Sequence, residues 1–452
     1  MLTGSLDHLS DPSTNVPLPD QVDVAVIGGG PSGSTLASLV AERGHRVLVL
    51  EKDEHPRFHI GESLLPYNLP IFRRLGLEQE LEAIGVRKPG VDFTTDDEEE
   101  HTHEIRFRDA LDRVEGCDHA FQVLRSDLDR MMFEHAGRRG AHLAMSARVR
   151  EVDFDAGDEV ELEVEQEAAR RRIRARFVVD ASGRDCLLAR RFGLQERNRE
   201  HATAALYGHF RDVPRRDGEA AGNISIYWFD QGWIWMIPLP DNVMSVGAVC
   251  NPDYLRRRGR DVENFFHATI QRNRHAWERL SRGELISPIT ATGNYSYFSR
   301  QLDGERWLMI GDAGIFIDPV FSSGVYFGMH SAELGAEVVL AELAGDRRAA
   351  ERARSRFRKR IRQGVNELAW LIYRFPTPAM RRLFLSSKSA FRIKPAVVSA
   401  LAGDLYDNWR VRWRLRAFRL VFWLVSLADL PATLRSRRQR LKNAREEFDG
   451  GH

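Results

Sequence analysis

At 452 residues and roughly 150 per domain, the chain has room for about three structural units and needs neither disulfides nor metals to hold a core. Its 43% hydrophobic and 29% charged residues exclude both a disordered chain and a bundle of membrane helices. With 66 basic against 65 acidic residues, the formal charge of +1 leaves no global field to steer it onto nucleic acid. Along the chain, residues 22–30 (VDVAVIGGG) form an apolar run ending in glycines, followed by helical spacing to Arg43 and a β-rich run, HRVLVLEKD. Between about 120 and 150 a helix (SDLDRMMFEHAGRRG) leads to strands near 148–152 and 159–165 and then to the apolar strand ARFVVDASG. From about 200 to 300 the segments NISIYWFD, GWIWMIPLP and VMSVGAV alternate in character, which predicts an antiparallel sheet in a second domain. After Gly311 a glycine-rich turn opens a long alanine- and leucine-rich helix, and the last hundred residues read as helical and basic.

Gly28, Gly30 and Gly33 satisfy G-x-G-x-x-G directly after an apolar strand and before a helix. Glycine there permits a tight turn and close approach of the backbone to a pyrophosphate at a helix N-terminus. Glu51, 18 residues beyond Gly33, ends the second strand, where a carboxylate can accept from an adenosine ribose. Ser32 inside the fingerprint and Lys52 beside Glu51 join the candidate cofactor set. The fingerprint alone leaves NAD and FAD open.

Only six of the basic residues are lysines, at 52, 88, 359, 388, 394 and 442, so each one invites attention. Cys117, Cys186 and Cys250 are odd in number and far apart, which argues against a disulfide framework, a metal site and export. A reducing cytoplasm is the expected location. The first twenty residues carry no signal-peptide pattern, and the apolar stretch near 420–428 is too short to span a bilayer.

Two further segments, FVVDASG with Asp180 and Gly183 and WLMIGDAG with Gly311 and Asp312, resemble the second and third flavin motifs of the FAD-dependent monooxygenase superfamily. The resemblance selects FAD, puts Asp312 at the ribityl chain, and puts Arg125 of VLRSDLD near the flavin phosphates; as a bare sequence feature Arg125 reads equally well as a solvated helix charge. Within that superfamily, GWIWMIP at 232–238 matches the WxWxIP signature of the flavin-dependent halogenases, and GESLLP (61–66), KPGVDF (88–93) and GDAGIFIDPVFSSGV (311–325) extend the match. It implies an α/β fold: a Rossmann-like FAD-binding domain over 20–85, 120–195 and 296–345, an inserted antiparallel-sheet substrate domain over 86–119 and 196–295, and a basic helical C-terminal region over 346–452.

It also implies a chemistry for secondary-metabolite biosynthesis. FAD, supplied as FADH2 by a separate flavin reductase, reacts with oxygen; chloride or bromide attacks the flavin hydroperoxide; and the hypohalous acid is delivered to an aromatic substrate. Trp233 and Trp235, two apart on a strand and so on one face, keep substrate from the flavin. Ser323 and Gly324 hold the halide, although a serine before a helix is also an ordinary N-cap. Lys88 of KxGxxF delivers the oxidant, as a chloramine or by hydrogen bonding. Guanidinium, always charged, is a poor substitute for an amine that a dry pocket can neutralise. Phe321 stands where the halogenases of free tryptophan carry a glutamate, which points to a phenol or pyrrole, free or tethered to an acyl or peptidyl carrier protein. Between Leu405 and Arg445 ten arginines and Lys442 face only Asp407 and Asp429. This region is read as a docking surface for an acidic carrier protein, against the plainer reading of a solvated cap and the further ones of membrane-surface or nucleic-acid adhesion. The alternative activity is a hydroxylase or reductase of the same superfamily, which has no use for Lys88.

Overall fold

In the computed structural model, which describes residues 17–96, 102–110, 115–198, 203–294, 296–385, 393–406, 408–428 and 430–449, the opening apolar run is the strand Gln21–Ile27. It lies between Val47–Leu50 and Ala169–Asp180, parallel to both, because strands buried on both faces suit a sheet covered by helices on each side. The full order is Asp303–Gly304, Trp307–Met309, Ala169–Asp180, Gln21–Ile27, Val47–Leu50, His142–Ala144, parallel except at the first strand. An antiparallel ribbon, Ala147–Asp153 and Val160–Gln166, extends along the first part of Ala169–Asp180.

The register decides where the site is built. Ile27 lies beside Leu50 and Asp180, and Asp180 beside Met309. All four strands therefore end at one edge, and the turns carrying Gly28, Glu51, Gly183 and Gly311 emerge side by side there, where parallel sheets bind their ligands.

The second sheet runs Glu284–Leu285, Thr203–Arg211, Val243–Cys250, Gly232–Pro238, Ile224–Phe229, Gly90–Thr94, Thr102–Arg106, with Thr290–Asn294 also on Thr203–Arg211. It is not purely antiparallel as expected: Ile224–Phe229 and Gly90–Thr94 pair in parallel. These two strands come from stretches far apart in the chain, so no hairpin dictates their relative direction. Along Gly232–Pro238 the pleat divides the side chains. Trp233, Trp235 and Ile237 join the main core, while Ile234 and Met236 face the opposite cluster under Val262–Ile270 and Arg274–Leu280.

The remainder is helical: Gly324–Leu343, Arg347–Ile372, Pro378–Leu385, Ile393–Ala402, Trp409–Ala428 and Leu430–Asp449. Asp407 lies outside the described residues, as does the side chain of Asp429. Among the described residues no single helix is long and apolar enough to cross a membrane.

Candidate active site

The common edge of the parallel strands opens into one large cavity that runs from the first glycine turn to the inner face of the second sheet. Gly28, Gly30, Ser32, Glu51, Lys52, Arg125, Gly183, Gly311, Asp312, Ser323 and Gly324 all line it, as do Trp233 and Trp235. Gly28 has φ +107°, and a Cβ there would sit 2.3 Å from the Ala181 carbonyl oxygen. A Cβ on Gly33 would sit 1.9 Å from the Gly28 oxygen, so its glycine is needed for close packing although it does not line the cavity. The helix Pro31–Ala41 starts at Gly30 without a side-chain cap, leaving first-turn amides for a pyrophosphate. These are the features a dinucleotide requires, and FAD fits the residues present.

Glu51 is buried and accepts from Gly29 N–H at 2.8 Å and from Asp53 N–H at 3.0 Å. Lys52 pairs with Asp185, also a cavity-lining residue, at 2.6 Å. Arg125 is buried, donating to both Asp129 oxygens at 2.7 and 3.0 Å and to the Ile60 carbonyl at 2.9 Å, so it is no solvated helix charge. Asp180 differs from expectation. Its carboxylate accepts from Ser182 N–H at 2.9 Å and Leu188 N–H at 2.7 Å, is fully buried, and does not line the cavity; it secures the turn that presents Gly183. Burial pushes the Asp312 carboxyl up to about 6, against the opposing pull of the Arg125 and Arg184 charges.

Elsewhere along the cavity, Ser323 caps Gly324–Leu343 without making the usual side-chain hydrogen bond. A Cβ on Gly324 would meet nothing within 4 Å, and both residues line the cavity. Ser322, at φ +57°, turns the chain into this start.

Lys88 closes the strand Gly85–Lys88, which pairs with Ala120–Val123. It is 1% exposed, its Nζ donates to Ser63 Oγ at 2.8 Å and the Leu64 carbonyl at 3.0 Å, and it lies 5.3 Å from the centre of the Phe107 ring. Burial drives its pKa down to about 7. Ser63, the partner of the amine, lines the cavity, whereas Lys88 itself does not. Trp233 and Trp235 stand 5.8 Å apart between ring centres, and the Trp235 indole N–H donates to Ser245 Oγ at 3.2 Å.

Sequence reasoning missed several partners. Phe375 and Phe384, from the C-terminal helical region, pack with Phe93, Trp228 and Phe321 at ring separations of 5.2–6.5 Å, and Trp233 meets the same cluster through Phe375 at 6.4 Å. No motif marks them; a spacing of bulky residues after a long helix was the only signal. Glu62, 1% exposed and lining the cavity, meets His209 Nε2 at 2.9 Å through one oxygen, while its other oxygen is buried without a hydrogen-bond partner among the described residues. Burial opposes a charge on His209, but the Glu62 hydrogen bond and charge hold its pKa above the usual histidine value.

The fold and cavity define a flavoprotein, and the FAD binding domain family matches residues 21–360. Two curated relatives refine that class. The chain is 29% identical over 412 residues, 86% of its own length and 90% of the other's, to a 1H-pyrrole-2-carbonyl-[peptidyl-carrier protein] chlorinase of Pseudomonas fluorescens. It is 33% identical over 337 residues to a tryptophan 2-halogenase of Chondromyces crocatus, matching 73% of this chain and 63% of that one. The solved structure of the flavin-dependent brominase Bmp2 superposes with a TM-score of 0.78 at 26% identity, covering 88% of this chain and 98% of that one. The chain belongs to the flavin-dependent halogenases, FAD-using oxidoreductases that halogenate aromatic compounds.

Proposed function

We propose that this enzyme halogenates an electron-rich ring, a phenol or pyrrole, carried on an acyl or peptidyl carrier protein, and that Lys88 is the group that delivers the oxidant. The observation that carries the reading is the buried Lys88 amine, with a pKa near 7, held by a serine of the cavity wall beside the Phe107 ring. Bound reduced FAD supplies the activation of dioxygen. Gly28, Gly30, Ser32, Glu51, Lys52, Arg125, Gly183, Gly311 and Asp312 hold that cofactor in this reading, and the Ser323 and Gly324 amides hold chloride or bromide beside it.

Trp233 and Trp235 line the cavity, and Trp233 meets the aromatic cluster through Phe375; in this reading they keep the organic ring away from the flavin. Lys88 hydrogen-bonds the hypohalous acid and orients its halogen towards the substrate. A neutral amine can accept a proton as well as donate one, which a guanidinium cannot do. The apolar side chains around it exclude water and so protect the oxidant from loss. With Phe321 in place of a carboxylate, no acidic side chain assists ring deprotonation there, which suits a ring that is already electron-rich. Tethering is supported by the likeness to a chlorinase whose substrate is a carrier-bound pyrrole. In this reading FADH2 comes from a separate cytoplasmic reductase, since the one dinucleotide cradle recognised among the described residues is assigned to FAD.

Mass spectrometry tests the reading. With reduced FAD, oxygen and chloride or bromide, halogenated product is expected from pyrrolyl or phenolic carrier conjugates, and far less from the free acids. Hydroxylated product without halogen would overturn it.

A further inference from the structure

Eight of the twelve large apolar side chains exposed on the described surface lie between Trp409 and Leu434. The helix Trp409–Ala428 has two apolar sides. Val411, Leu415, Phe418, Phe422 and Ser426 are buried against the molecule. Trp409, Trp413, Leu420, Leu424 and Leu427 recur at helical spacing on the opposite side, at 40–63% exposure, with Trp423 and, on the next helix, Leu430 and Leu434 also exposed. A soluble surface rarely carries such a ridge without a use for it.

Cations frame the ridge. The helix holds five arginines and no acidic residue. Arg410, Arg412 and Arg416 are exposed, and the Arg410 and Arg414 guanidinium groups lie 5.8 and 4.5 Å from the centres of the Trp409 and Trp413 rings. A second copy of this chain is a poor cover, because pairing two such ridges brings one arginine row against another. A protein partner would have to offer an apolar trench that matches the ridge. A fluid bilayer surface needs no matching shape. Arginine reaching headgroup phosphates, tryptophan at headgroup level and leucine below them is the side-chain order of an interfacial helix.

We propose that Trp409–Ala428, continued by Leu430 and Leu434, docks this chain on an anionic lipid surface, lying in the interface without crossing it. The proposal is independent of the substrate reading. Its residues are distinct from those lining the cavity.

The test is co-sedimentation of the full chain with vesicles of phosphatidylcholine, with and without phosphatidylglycerol. Binding should be about tenfold or more stronger to the anionic vesicles and should weaken with salt. It should fall by a similar factor in a Leu420→Glu, Leu424→Glu, Leu427→Glu variant and in an Arg412→Ser, Arg416→Ser variant, both of which keep FAD binding. Tryptophan emission should shift to the blue on binding. The idea is overturned by equal recovery from both vesicle types, by no recovery from either, by a dimer that the leucine variant dissociates, or by an acidic carrier protein whose binding to the ridge survives lipid competition.

Discussion

Ser63 Oγ accepts a hydrogen bond of 2.8 Å from Lys88 Nζ, which ties a cavity-wall residue to a buried amine 25 positions along the chain. The amine has a second acceptor in the Leu64 carbonyl, and burial alone accounts for its lowered pKa.

Replacement of Lys88 by alanine should leave FAD binding and flavin oxidation intact while lowering halogenated product by about a hundredfold or more, the scale of a lost acid–base group. Lys88→Arg should not rescue it, since guanidinium stays charged. Product analysis alongside the rate of flavin oxidation reads both halves; undiminished halogenation by the alanine variant refutes the role.

The same burial couples stability to pH. A free lysine titrates near 10.4 and Lys88 at about 7, so between those values the unfolded chain binds a proton that the folded chain does not. Stability from this group therefore rises with pH across that window, by about 2 kcal/mol from pH 7 to 9. Urea unfolding of the wild type and Lys88→Met at both pH values should show the rise in the first and its absence in the second.

In Glu62→Gln the His209 ring keeps its burial but loses the carboxylate that supports its charge. Its pKa should drop below the ordinary histidine value. Titration of the imidazole by nuclear magnetic resonance would reveal this, and an unmoved pKa would mean that Glu62 is not its support.

Gly247 faces the Trp235 ring, and a Cβ there would lie 2.2 Å from it. Gly247→Ala should therefore displace the indole and destabilise the fold by about 1–3 kcal/mol. A lowered thermal midpoint with altered tryptophan fluorescence is the expected result; an unchanged midpoint would show that the sheet yields freely.

Much of this site was legible because its pieces are local. The glycine turn follows its strand directly, GWIWMIP sets two indoles on one face by the pleat, and Lys88 stands out in a chain rich in arginine. The side-chain partners were not legible. Asp180 sits within a flavin-like motif, yet two backbone amides placed by the following turn take up its carboxylate. Glu62 and His209 are 147 residues apart and meet only because their elements face a common cavity.

The residues by themselves determined the nucleotide turn, the indole pair and which apolar runs become strands, since these depend on spacing along one element. Tertiary structure alone decided that Phe375 and Phe384 reach Phe93 and Phe321, that the Lys88 amine is dry, and that one side of Trp409–Ala428 faces outward. Burial and contact between distant elements depend on how whole layers pack, and no local pattern encodes which of two apolar helix faces the core will take.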